Sequence, residues 1–109
     1  MKTVHKYRLQ SDAAINTLNL REGYRIVRSE YLITEKAVFI WVEEPLSVSV
    51  PVVATEFVVI LTGEPVPMNY VYRDTALDTF GPEAFHVYEI PVAVAQAESI
   101  KEAMNKQAA

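Results

Sequence analysis

Two histidines, fourteen carboxylates, ten basic groups and no cysteine define the chemistry open to this chain. Without a thiol there is no disulfide framework, no thiolate zinc site and no thiol nucleophile. A metal site would have to draw His5 and His86 from opposite ends of the sequence, with Glu89 as a third ligand. On a strand, His86 and Glu89 point to opposite faces and do not chelate together, so no metal site is expected. Glu43 and Glu44 are adjacent, and Asp74 and Asp78 fall in a polar stretch. Nothing around either pair drives two carboxyl pKa values apart, as an acid–base couple requires. Three glycines are too few for phosphate-cradling loops, and no nucleophile elbow or zincin helix is present. The chain is therefore expected to be non-enzymatic, with no catalytic residue and no cofactor.

Binding chemistry is better supplied. Six tyrosines accompany Trp41, and amphipathic rings are enriched both in strands and at interfaces. The contact candidates are Tyr24, Tyr31, Tyr70 and Tyr72 with the acidic positions Glu43, Glu44, Asp74 and Asp78. A second set, Arg21, Arg25 and Arg28, suits a phosphate-bearing ligand with a tyrosine stacked on its base. Strict strand alternation puts Arg25 and Arg28 on opposite faces, so at most two of the three share one. Charge is segregated along the chain. Residues 1–30 carry six basic and three acidic groups, whereas residues 31–109 carry four basic and eleven acidic ones. Such a split suits either neighbouring strands of one sheet or two surfaces of opposite sign. With a net charge of −4 and no dense basic stripe, direct nucleic-acid binding is not expected.

These residues need a scaffold, and 109 residues, half of them apolar, suffice for one domain. No apolar run is long enough to span a bilayer as a helix and no secretory leader is read, so neither membrane nor secretion is expected. Alternation and β-branched content predict strands over 2–9, 15–20, 24–33, 36–42 and 84–90, with Thr34-Glu35 at a hairpin turn. Val48, Val50 and Val52 alternate with Ser47, Ser49 and Pro51 as in a half-buried edge strand, and Phe57 to Leu61 reads as a buried one. Tyr70 to Tyr72 is a short strand, and 74–82 is a loop. Past Pro91, Ala93, Ala97, Ile100 and Met104 form a helical stripe. The predicted fold is a β-rich α+β domain over 1–91. It has six or seven strands in a mostly antiparallel twisted sheet, as a single layer or a partly closed barrel. A C-terminal helix over 92–109 is expected to pack on it or serve oligomerisation. Because one thin helix covers little of a two-faced apolar sheet, a homodimer is expected, centred on Ile100 and Met104 or on the outward face of Val58 and Ile60.

Five short segments occur in a telling order: His5-Lys6-Tyr7-Arg8-Leu9, Leu18 to Val27 around Glu22-Gly23, the strand with Trp41, Phe57 to Pro67 with Thr62-Gly63-Glu64-Pro65-Val66-Pro67, and Phe85-His86-Val87-Tyr88-Glu89. Together they resemble, over about residues 4–90, a family of small tailed-phage proteins of unknown function. That family has a KYxL start, an apolar segment with a glycine, an LWA strand, a GTGHPIP turn and a WHVFE end. Here Glu64 stands where the family has histidine, Ala84-Phe85 replaces an apolar-Trp pair, and 46–55 is longer. The resemblance implies a phage or prophage accessory protein acting in the cytoplasm of an infected bacterium, and it supplies no catalytic residue. The function expected is binding and inhibition of a host bacterial protein, a component of an antiviral defence system. The alternative is sequestration of a small nucleotide signal.

Overall fold

The computed structural model describes residues 1–91. They form seven antiparallel strands: β1 (Lys2–Leu9), β2 (Asn16–Arg21), β3 (Arg25–Leu32), β4 (Ala37–Pro45), β5 (Val52–Leu61), β6 (Val71–Leu77) and β7 (Ala84–Ile90). The strands make two sheets, one ordered β1-β4-β3 and the other β2-β5-β7-β6. The expected single layer or partly closed barrel is thus corrected to two open sheets packed face to face. The described residues are all-β. The helix expected over 92–109, with Ile100 and Met104, lies outside them.

Two sheets form because successive side chains of a strand point to opposite faces, and the inward apolar set of each sheet meets that of the other. Leu9, Val38, Ile40 and Val42 from the three-stranded sheet pack with Leu20, Phe57, Val59, Ala76, Phe85 and Val87 from the four-stranded one. The Tyr31 ring stacks on Phe85 across the gap, with centroids 4.5 Å apart. The outer faces of β4 and β5 are apolar as well, and both are covered from within the chain. Lys6 lies 4.6 Å from the Phe39 ring centroid, its alkyl stem spread over the outside of β4. Val58 and Ile60 are only 5% and 8% exposed. Val66, from the loop after β5, lines the same small pocket as Ile60, His86 and Tyr88. Val58 and Ile60 are thus largely covered within one chain.

Turn chemistry explains the remaining boundaries. Leu32 pairs with Ala37 across the β3–β4 hairpin, and Lys36 takes φ +52 to close it after the Thr34-Glu35 corner. At the β2–β3 crossing, the Tyr24 N–H donates to the Arg21 carbonyl at 3.2 Å, with Gly23 at φ +84. That is the position where a type II turn demands glycine. The half-buried strand expected around Val48 and Val50 is instead a turn, with Val48 90% exposed. Three hydroxyl and proline positions in five residues leave too little apolar surface to hold an extended segment against the core. The expected loop at Asp74 is corrected too: β6 runs on through Leu77, because Ala76 packs into the core beside Phe85.

Candidate binding face

On the three-stranded sheet the inward set of β4 fixes the outward set as Phe39, Trp41 and Glu43. Their β1 neighbours are Arg8, Lys6 and Val4, in register with Phe39, Trp41 and Glu43. On the other side Arg25 pairs with Glu43, and Arg28 with Trp41. The ladder skips one residue between Ile26 and Arg28, so Val27 is the extra residue of a β-bulge. The bulge restores Tyr24 and Ile26 to the core side while leaving Arg25 and Arg28 together outside. Strict alternation separated these two arginines; the bulge unites them.

The resulting surface carries Lys2, Lys6, Arg8, Arg25 and Arg28 around the Trp41 ring. Lys2 meets Glu43 at 3.2 Å, and Arg28 Nε donates to Glu30 at 2.7 Å. Lys6, Arg8 and Arg25 have no ion-pair partner among the described residues. Basic residues of the N-terminal third are thereby gathered on one sheet face. Arg21 is not among them: it lies on β2, where its guanidinium donates to the Val50 carbonyl at 2.8 Å. Of the three arginines grouped by sequence, only Arg25 and Arg28 act together.

The acidic candidates disperse. Glu44 is 5% exposed and faces inward. It accepts from the Tyr7 hydroxyl at 2.6 Å and from the Arg21 N–H at 3.0 Å, tying β1 and β4 to β2. Asp74 accepts from the Ser29 hydroxyl at 2.7 Å, and Asp78 accepts from the Phe80 N–H at 3.0 Å in the β6–β7 turn. Glu43 alone remains on the outer face, held by Lys2. The tyrosines divide likewise. Tyr31 is a core-packing ring, and Tyr24 donates its hydroxyl to Glu89, which Arg73 also contacts at 3.2 Å. Tyr72 is exposed and meets Tyr88 edge-on at 5.6 Å, while Tyr70 is half-buried at the start of β6.

Glu89 was weighed from sequence only as a metal ligand, and Arg73 not at all, since their pairing depends on a second bulge, at Arg73 in β6. His86 and Glu89 do point to opposite faces. His86 lies outward, its ring nitrogens 2.8 Å from the Thr62 hydroxyl and 3.0 Å from the Thr75 hydroxyl. Among the described residues no cluster of three or more histidines and carboxylates could hold a metal ion.

The two tyrosine–carboxylate pairs set a pH limit. Burial, then the hydrogen bond to Glu44 and its charge, push the Tyr7 hydroxyl up to about 12. Burial and Glu89 raise Tyr24 as well, with Arg73 and Thr55 opposing. A phenol whose folded pKa is raised stabilises the fold fully below its unfolded value near 10, and that stability is lost as pH climbs to the folded value. Thermal unfolding followed from pH 9 to 12 is expected to lose stability through Tyr7, about 1 kcal/mol after solvent screening of this half-buried hydroxyl. Tyr7→Phe should flatten that part of the decline; an equal slope in the variant would contradict the assignment.

A domain-family model of unknown function (DUF7352) matches residues 1–97. The chain belongs to that family. The match embraces all seven strands, and the family description carries no activity. No curated protein and no solved structure matches the chain.

Proposed function

We propose that this DUF7352 chain is a non-enzymatic binding protein. It engages an acidic surface of a partner protein through the outer face of its three-stranded sheet. The observation that carries this reading is the Val27 bulge, which sets Arg25 and Arg28 on the same face as Lys6, Arg8 and Trp41. A basic patch centred on a partly exposed indole combines long-range steering with a contact anchor. The motif resemblance supplies the setting: a phage or prophage accessory protein acting in the cytoplasm of an infected bacterium. Its target there is a host protein, a component of an antiviral defence system. The nucleotide alternative retains only two of its three arginines on one surface.

Capture from bacterial lysate with the tagged full chain tests the proposal. A stoichiometric protein is expected with the unaltered chain, weakened by salt and reduced about tenfold by Arg25→Glu with Arg28→Glu. Glu83→Lys, in the β6–β7 turn, should leave capture unchanged. Repeated absence of a stoichiometric partner, or capture indifferent to the double reversal, would overturn it.

A further inference from the structure

Among the described residues each sheet has two edge strands, β1 and β3 in one, β2 and β6 in the other. Three of these edges are blunted. β3 and β6 carry bulges and are tied together by the Ser29–Asp74 bond. β2 is short, 6 residues, and the Arg21 N–H at its end is taken by Glu44. β1 differs. It pairs with β4 without interruption, from Lys2 with Pro45 to Leu9 with Val38, and contains no bulge and no proline. Among the described residues no other backbone hydrogen bond involves residues 2–9. Its free edge is therefore a straight row of unpaired N–H and C=O groups, the template for a further strand. There is room beside it. Lys2, Val4, His5, Lys6 and Arg8 are exposed, and His5 has the inward parity of Val42, so the second sheet does not roof this edge.

Charge selects the occupant. β1 holds Lys2, Lys6 and Arg8, and neither it nor β2, on the same flank of the other sheet, has a carboxylate. Of the neighbouring acids, Glu43 is bound by Lys2 and Glu44 is turned inward to Tyr7. Lys6 and Arg8 have no ion-pair partner among the described residues. This excess of positive charge argues against a second copy of the chain. A twofold axis at Val4 sets Lys2 opposite Lys6, one at His5 sets Lys2 opposite Arg8, and one at Lys6 sets that residue opposite itself. Like charges directly opposite one another destabilise a strand pair. A strand with carboxylates at those positions satisfies the charge and the main chain together.

We infer that the partner docks by adding an extended acidic strand to the free edge of β1. This rests on the proposed binding face, which the added strand widens beyond Lys6 and Arg8. These two side chains are alternate residues on the outer face, so the carboxylates they take are alternate residues as well. β1 spans 8 residues, about 26 Å of extended chain, and a segment of similar length fits. Main-chain pairing supplies sequence-tolerant affinity, and the spacing of the acids supplies the choice.

Fluorescence polarisation of a synthetic octapeptide alternating glutamate with threonine, titrated with the full chain, tests this. Binding is expected, weakened by salt, and about tenfold weaker when the same residues are reordered with the glutamates grouped. Methylating alternate amide nitrogens of the peptide should abolish binding for the set that faces β1 and spare it for the other. Lys6→Glu with Arg8→Glu should weaken binding at least about tenfold, whereas Glu83→Lys should leave it unchanged. On binding, amide exchange should slow at alternate residues of β1 and not in β3 or β6. An equal response to the two methylated peptides, indifference to the order of the glutamates, or protection of other strands overturns the strand at β1. Absence of peptide binding, with lysate capture still sensitive to Arg25 and Arg28, overturns it too and leaves the sheet face standing. Failure of both experiments removes both readings.

Discussion

Glu44→Ala is expected to destabilise the domain by about 4 kcal/mol, whereas Glu44→Gln should cost about 1 kcal/mol. Among the described residues Glu44 is one of three buried polar side chains, with Ser29 and Thr55. Its two oxygens serve different sheets: one accepts from Tyr7 on β1, the other from the Arg21 N–H on β2. Alanine leaves a hydroxyl and a backbone N–H without partners and opens a void. Each orphaned group costs about 1–3 kcal/mol, and the cavity adds to that. Glutamine keeps an acceptor oxygen for one donor and fills the same volume. A surface carboxylate, the role sequence gave Glu44, would tolerate either change within about 0.5 kcal/mol. Chemical denaturation of the two variants, with Tyr7→Phe and the Tyr7→Phe/Glu44→Ala pair, separates these accounts. A non-additive cycle is expected because the two groups share one bond. Near-neutral Glu44→Ala would remove the inter-sheet tie from the structure.

Much of the scaffold is legible in the residues, and the reasons differ by element. β7 and the β3–β4 hairpin are readable because their apolar runs end at proline, glycine or charged pairs. Their pairing partners are also close in sequence or strongly patterned. The division into two sheets is not readable. It depends on the β1–β2, β2–β3 and β4–β5 connections passing from layer to layer, and alternation marks an inner face without saying which sheet owns it. The fate of neighbouring acids shows the same limit. Glu43 and Glu44 are consecutive, so one must face in and the other out, and only register with Thr3 and Val4 decides which. The candidate binding face was half legible. Val4, Lys6 and Arg8 follow simple alternation, but Arg25 and Arg28 meet only through the bulge. The available signal was a conflict. Tyr24 and Ile26 fit the core face with one parity, Ser29 and Tyr31 with the other, and one extra residue reconciles them.

That reconciliation predicts opposite outcomes for two single-residue deletions. Removing Val27 is expected to leave a folded chain, at a cost of no more than about 1.5 kcal/mol. Removing Ile40 should abolish cooperative folding. Val27 is the residue the ladder skips: Ile26 already pairs with Val42 and Arg28 with Trp41. Without Val27 the strand becomes regular, and every flanking side chain keeps its face, with Arg25 and Arg28 still outward. Ile40 has no such freedom, because β4 is the central strand and pairs with both β1 and β3. Its loss turns Val42 and Glu44 outward and Trp41 inward, or forces both neighbouring ladders to slip. Exposing Val42 forfeits about 1.5–3 kcal/mol, and breaking the Glu44 ties adds about 4 kcal/mol. The sum reaches the whole stability of a small domain, about 5–10 kcal/mol. Thermal unfolding and amide-exchange protection of the two deletions decide the matter. If losing Val27 is as damaging as losing Ile40, β3 has no bulge, and Arg25 and Arg28 do not share a face. If the Val27 deletion folds and still captures the partner from lysate, binding requires only that Arg25 and Arg28 share a face, which a regular strand without Val27 also provides.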